Sequence, residues 1–243
     1  AAAEMMHVLA DYSYSYQISY VPRNVTGMNL AAHFGLKDTM IALRAAGQYL
    51  HPLDSKARTP LFYAVSNRQG EAVRWLLDVT DSDLRPTKAR DLYGQTLLCC
   101  AAEHGQYLIV KLLLERDDVD VNHLDNEHST PLSLAARKGH IDVVKLLLST
   151  EGVRPDSGKP PPLSVAARLG RLEIVRLPLQ DRRSDIDSRV SYVQSPLVNA
   201  ATFGHYEIVQ LLLSTPGDEI GTRTEHGDTA RAPGGERHQH SIV

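Results

Sequence analysis

Thr130-Pro131-Leu132-Ser133-Leu134-Ala135-Ala136-Arg137-Lys138-Gly139-His140-Ile141-Asp142-Val143-Val144-Lys145-Leu146-Leu147-Leu148 is the most regular stretch of this 243-residue chain, and it recurs in degraded form along its whole length. Aligned on the opening Thr, the copies begin at Thr26, Thr59, Thr96, Thr130, Pro161, Ser195 and Thr229, in steps of 33, 37, 34, 31, 34 and 34 residues. The first half reappears as Thr59-Pro60-Leu61-Phe62-Tyr63-Ala64-Val65, Thr96-Leu97-Leu98-Cys99-Cys100-Ala101-Ala102, Pro161-Pro162-Leu163-Ser164-Val165-Ala166-Ala167 and Ser195-Pro196-Leu197-Val198-Asn199-Ala200-Ala201. The second half reappears as the apolar runs that start at Val73, Ile109, Ile174 and Ile208.

Each part of the phrase has a local physical reading. A Thr hydroxyl caps a helix start, and a following Pro suits the first turn, where its missing N–H costs nothing. The Ala pair lets neighbouring helices approach closely. Gly35, Gly105, Gly139, Gly170 and Gly204 follow that pair by three residues, where a first helix must end in a left-handed turn. The second run places apolar residues at i, i+3 and i+4, one buried face per helix. A single unit cannot bury these faces alone, so stability comes from stacking.

A period near 33 residues with a Thr-Pro-Leu-x-x-Ala-Ala core resembles the ankyrin repeat, over roughly residues 20 to 230. The resemblance implies an all-α ankyrin-repeat solenoid: stacked helix-turn-helix pairs with hairpin fingers, about six repeats plus a degenerate seventh. Residues 1–20 are then a lead-in or the remnant of an earlier repeat, 21–228 the array, and 229–243 a degenerate or truncated seventh repeat. The stretch Val21-Pro22-Arg23-Asn24-Val25-Thr26-Gly27-Met28-Asn29-Leu30-Ala31-Ala32-His33-Phe34-Gly35-Leu36 is similar to the opening of ankyrin arrays in large fungal proteins with an upstream NACHT-type NTPase. That likeness would make this chain the sensing or scaffolding part of a longer protein.

Departures from the pattern mark expected weak points. Arg68 stands where repeat two should have its helix-ending Gly. Pro178 interrupts Leu177-Pro178-Leu179, where other repeats read Leu-Leu-Leu; an interior helix Pro costs ~3 kcal/mol, so a kinked or shortened second helix is expected in repeat five. Asp54, Asp91, Asp125 and Asp156 sit five residues before the repeat Thr or its Pro161 substitute, whereas repeat six has Val190 there and Val193 where Gly is expected. Residues 177–194 are therefore the expected weak point of the stack. Gly227-Asp228-Thr229-Ala230 opens a seventh repeat, and residues 231–240 then lose all repeat character, as a frame-shifted or a divergent stretch would. Tyr12, Tyr14, Tyr16, Ile18 and Tyr20 alternate at strand period near the start.

Composition excludes several classes. The net charge of −3 gives no global attraction to nucleic acid or anionic membrane, and no apolar run is long enough to span a bilayer. Cys99 and Cys100, the only cysteines, lie together in a predicted helix core and read as buried small residues in a reducing compartment. With no secretory signal at the start, a cytoplasmic or nuclear location is expected. Asp118 to Asn122 imitates the start of a calcium loop, but His123 and Ser129 occupy the positions that need Gly and Glu. Gly152 to Gly158-Lys159 has the wrong spacing for a phosphate loop, and Pro160 replaces the magnesium-binding hydroxyl. Asn24-Val25-Thr26 is a glycosylation sequon, but its Thr is the repeat's cap. No metal-ligand spacing and no nucleophile–base set emerges, so neither cofactor nor metal nor catalysis is expected.

The ankyrin resemblance implies a protein partner on a concave face of finger tips and first-helix ends. The two residues after each Ala pair fall there: His33 and Phe34, Ser66 and Asn67, Glu103 and His104, Arg137 and Lys138, Arg168 and Leu169, Thr202 and Phe203. The fingers add Lys56 and Arg58, Tyr93 and Gln95, Asn126 and Glu127, Lys159, Tyr192 and Gln194. Of these, Phe34, Tyr93, Gln95, His104, Arg137, Lys138, Arg168, Tyr192 and Phe203 are the candidate binding residues, because Arg and aromatics dominate interface hot spots. Arg137, Lys138 and Arg168 form a basic centre that predicts an acidic patch on the partner, with this chain a monomer or part of a longer one. The alternative is an enzyme or small-ligand-binding protein with a pocket on the same face.

Overall fold

The computed structural model describes residues 22–79, 86–180 and 195–215. The tyrosine-rich lead-in, Val190, Tyr192, Val193, Gln194 and the seventh repeat lie outside the described residues. Among the described residues there are twelve α-helices and no strand. They alternate as predicted. Repeat one has α1 (Gly27–His33) and α2 (Lys37–Ala45), and repeat two has α3 (Pro60–Ser66) and α4 (Gly70–Val79). Repeats three to six follow with α5 (Leu97–Glu103) and α6 (Tyr107–Leu114), α7 (Pro131–Lys138) and α8 (Ile141–Ser149), α9 (Pro162–Arg168) and α10 (Leu172–Gln180), then α11 (Pro196–Thr202) and α12 (Tyr206–Ser214).

The chain forms two compact units that divide between Leu92 and Tyr93. In unit 1, first helix packs on first helix (α1 on α3) and second on second (α2 on α4). Unit 2 repeats that scheme through α5, α7, α9 and α11 on one side and α6, α8, α10 and α12 on the other. The Ala pair makes the close packing possible: Ala101, Ala102, Ala135, Ala136, Ala166 and Ala167 have no accessible surface. Cys99 and Cys100 are buried among them, and burial raises the Cys99 thiol to about 11, which keeps it protonated and unreactive.

Helix starts follow the capping chemistry read from the sequence. Thr59 Oγ1 accepts from Phe62 N, Thr96 Oγ1 from Cys99 N, Thr130 Oγ1 from Ser133 N and Ser195 Oγ from Val198 N, at 3.1–3.3 Å. Pro161 has no side chain to offer, so α9 starts without such a bond. First helices end on left-handed residues, Gly35, Gly105, Gly139, Gly170 and Gly204. Arg68 takes the same conformation at φ 61° in repeat two, so the turn survives there at the steric cost of a Cβ.

The glycine also makes room for the next repeat. His140 Nε2 donates to Glu103 O at 2.9 Å and His205 Nε2 to Arg168 O at 3.0 Å. Gln69 Nε2 donates to His33 O at 3.2 Å in unit 1. Each of these side chains lies against the preceding repeat's glycine, where a Cβ would overlap it. The residue after the left-handed turn thus reaches back and satisfies a carbonyl at the end of the previous first helix.

The repeat Asp organises the finger. Asp54 Oδ1 accepts from Lys56 N and Arg58 N at 2.7 and 2.9 Å, and Asp125 Oδ1 accepts from Glu127 N and Ser129 N at 3.0 and 2.8 Å. Successive fingers join through one backbone bond: Ser55 N to Arg23 O and Leu92 N to Lys56 O in unit 1, and Asn126 N to Tyr93 O in unit 2. In repeat five the bond moves, and Lys159 N donates to His128 O. The calcium-like segment is engaged in the same way. Asn122 donates to Gly152 O and accepts from Arg154 N, and the buried His123 Nε2 bonds Gly94 O.

Pro178 does not shorten its helix. α10 runs nine residues, the same length as α8 and α12, so of the expected kink or shortening the shortening does not occur. Pro178 is the seventh residue of α10, level with Leu147 and Leu212, which have 0% and 2% of their surface exposed. Pro178 is buried as they are. It stands in the last turn, and the only ladder donor it removes is the one that would face the Ile174 carbonyl. Pro178→Leu should therefore restore that bond and raise the stability of the chain by about 2–3 kcal/mol, read as a higher urea midpoint. Gly105→Ala should do the opposite. It forces a Cβ into a φ of 65° and into the His140 ring, at a cost of at least about 1–2 kcal/mol in the same experiment.

Candidate functional site

The residues after the Ala pair end the first helices, and the left-handed turn points them away from the core. In unit 2, His104, Lys138, Arg168, Leu169, Thr202 and Phe203 are exposed, one or two residues beyond an Ala pair whose members are buried except for the half-buried Ala201. Tyr93 is 52% exposed in the finger before α5. Phe34 is exposed in unit 1, where the His33 ring meets it edge-on with centroids 4.6 Å apart.

The basic centre is largely engaged within the chain. Lys138 Nζ lies 3.2 Å from Glu103 Oε1, and Gln95 Nε2 donates to Glu103 Oε2 at 3.2 Å. Burial alone would raise the Glu103 carboxyl. The Gln95 and Lys138 hydrogen bonds and the Lys138 charge outweigh it and hold the group below its ordinary value. Arg137 donates to Ser129 Oγ and lies 3.5 Å from Glu127 Oε2. Arg168 has no ion pair among the described residues. Two of the three predicted cations are therefore inter-repeat or helix-to-finger struts, and Gln95 is a strut as well. Sequence spacing placed all of these residues on one face but could not show which would pair across it.

His104 Nδ1 bonds the Cys100 carbonyl at 2.8 Å, four residues back, and Asn67 Nδ2 does the same to Tyr63 O in unit 1. Asn67 Nδ2 also lies 2.9 Å from His33 Nδ1. In unit 1 the Tyr63 hydroxyl donates to Asp54 Oδ2 at 2.7 Å, and burial followed by that bond pushes its ionisation far above the usual range. A surface depression is lined by Val153, Arg154, Pro155, Asp156 and Ser157, five consecutive residues of one loop. It brings no nucleophile–base pair together. Among the described residues no cluster of three or more His, Cys, Asp or Glu is placed to hold a metal ion, and no helix is long and apolar enough to cross a membrane.

His33 is a titratable element of unit 1. Burial lowers its pKa below the usual 6.5, and His51 is shifted the same way. A lowered imidazole binds fewer protons folded than unfolded. The stability it contributes is complete above pH 6.5 and is lost as pH falls through 6.5 toward the folded value. An NMR titration of the His33 ring should place its midpoint below 6.5, and the Asn67 side-chain amide should report the same midpoint.

Comparison with known proteins follows this geometry. A family model described as ankyrin repeats (three copies) matches residues 28–125, 80–159 and 116–190. Mouse Rabankyrin-5 is 28% identical over 126 residues, 52% of this chain but 10% of that protein. Alpha-latrocrustotoxin-Lt1a of Latrodectus tredecimguttatus is 38% identical over 95 residues, 39% of this chain and 6% of the toxin. The ankyrin repeat protein FPV223 of fowlpox virus is 28% identical over 144 residues, 59% of this chain and 97% of that protein. The chain thus spans a tenth or less of the first two. Among solved structures, the ankyrin repeat domain of Bcl-3, a member of the IkappaB protein family, superimposes with a TM-score of 0.73 at 22% identity, over 85% of this chain and 92% of that one.

Proposed function

The chain belongs to the ankyrin repeat family, and from that premise we propose that it is a non-catalytic interaction module whose protein partner docks on the first-helix ends and fingers. Ankyrin repeats are generally protein–protein interaction modules. The observation that carries the reading is the contrast along each first helix of unit 2. In the first three of these helices the Ala pair is buried and serves the stack, while His104, Lys138, Arg168 and Leu169 beyond it are exposed; in the fourth Ala200 is buried and Thr202 and Phe203 are exposed. Tyr93, His104 and Phe203 are thereby available as amphipathic or aromatic anchors. The partner we propose carries an acidic patch that meets Arg168, in a cytoplasmic or nuclear compartment.

The reading is tested by affinity capture from lysate with the wild-type chain and with a Tyr93→Ala/His104→Ala/Phe203→Ala variant of matched helix content. Proteins held by the first bait and lost from the second are expected. An identical set on both baits would refute this face as the binding surface. Charge reversal at Lys138 or Arg137 is a poor probe, because it would set carboxylate against Glu103 or Glu127 and so move those side chains as well as change the charge.

A further inference from the structure

Positive charge on the first-helix face of unit 2 is unevenly available. Lys138 and Arg137 face Glu103 and Glu127. Arg168 and Arg171, three residues apart around the turn at Gly170, are both exposed and have no ion pair among the described residues. Arg171 also breaks the repeat's own rule. It occupies the position of His140 and His205, which bond a carbonyl of the preceding first helix, but its guanidinium makes no such bond there. Instead it lies beside Gly139, with Cζ 3.2 Å from where a Cβ on that glycine would stand.

Apolar surface flanks these cations. Leu169 caps the end of α9 and is 40% exposed, and Phe203 caps the end of α11 and is 54% exposed. The two helices pack directly, and the His205 bond to Arg168 O fixes one helix end against the other. Along the chain Arg168 and Arg171 flank Leu169, with Arg171 turned toward Gly139 of the preceding repeat and Phe203 at the end of the following first helix, a row that rewards both fork-like carboxylate bonding and apolar burial.

Building on the protein-binding reading above, we infer that Arg168, Leu169, Arg171 and Phe203 form the docking step for a peptide segment in which a large apolar side chain is flanked by carboxylates. The apolar side chain covers Leu169 and Phe203, and the carboxylates bond the two guanidiniums. The net charge of −3 and the apolar step argue against a phosphate backbone as the occupant.

A random peptide display library panned against the full chain tests this. Enriched peptides should share an apolar residue next to Asp or Glu. Their affinity should fall about tenfold or more, the loss typical of a hot spot, with Arg168→Glu/Arg171→Glu and again with Leu169→Ser/Phe203→Ser. It should be unchanged with Leu108→Ser, an exposed position on a second helix, and circular dichroism confirms that each variant folds. Enriched peptides without carboxylates, or peptides indifferent to the arginine reversals, overturn the inference. If such peptides are instead lost with Tyr93→Ala/His104→Ala, the docking step is wrong and the wider binding face stands. Peptides lost with none of these variants would remove both. Binding of a single-stranded oligonucleotide that competes with the peptides at the arginines would overturn the peptide assignment in favour of nucleic acid.

Discussion

The left-handed residue that closes each first helix sets where the following repeat can sit. At Gly35, Gly105 and Gly170 the missing Cβ does two things at once. It permits a positive φ, and it leaves space for Gln69, His140 or His205 of the next repeat to lie against the turn and bond a carbonyl of the helix just ended. Helix termini otherwise leave carbonyls without partners, and here the partner comes from the neighbour, so the same hydrogen bond finishes one repeat and positions another. The turn also decides what faces outward. The chain leaves the helix axis there, so the last one or two residues before the glycine cannot join the alanine interface. The exposed ridge is thus a consequence of how the stack is closed.

Charges on that ridge are not independent. Lys138 and Glu103 come from successive repeats, and Gln95 comes from the finger before them. Pairs of this exposure contribute at most about 1 kcal/mol each. Their larger effect is on recognition, because a lysine already facing a carboxylate presents little unsatisfied charge to a partner. Counting basic residues along a repeat therefore overstates the field a ligand would meet. The available positive charge is displaced toward Arg168, one member of the centre that spacing selects, and Arg171, which spacing does not select.

What the sequence made legible was whatever depends on local chemistry. The Thr caps, the glycine turns, the alanine interface and the finger Asp follow from short-range hydrogen bonding and sterics, and each stands where its residue type placed it. Three kinds of fact were out of reach. Arg68, Asn24, Ala57 and His128 adopt positive φ because the repeat imposes the turn whether or not a glycine is available, so tertiary context overrides propensity there. Pro178 stays inside a full-length helix because its effect depends on where in the last turn it falls. The pairing of Arg137 and Lys138 depends on side-chain reach across elements, which a period of about 33 residues places on one face but does not resolve.

Repeat five gathers most of the departures: no capping hydroxyl at Pro161, a proline in α10, a relocated finger bond and Arg171 in place of the bridging side chain. A globular domain would concentrate such costs in one cooperative core. In a stack, α9 is buried against α7 on one side and α11 on the other, and nearest-neighbour interfaces can hold a repeat whose own local signals are weak. Local rules broken without loss of fold are where selection for something other than stability can act. Arg168 and Leu169 belong to this same repeat, and Arg171 is an exposed guanidinium where repeats four and six have a bridging His. The sequence is least faithful to the repeat where two exposed guanidiniums stand without an ion pair among the described residues beside an exposed leucine, Leu169, a combination that suits a binding surface.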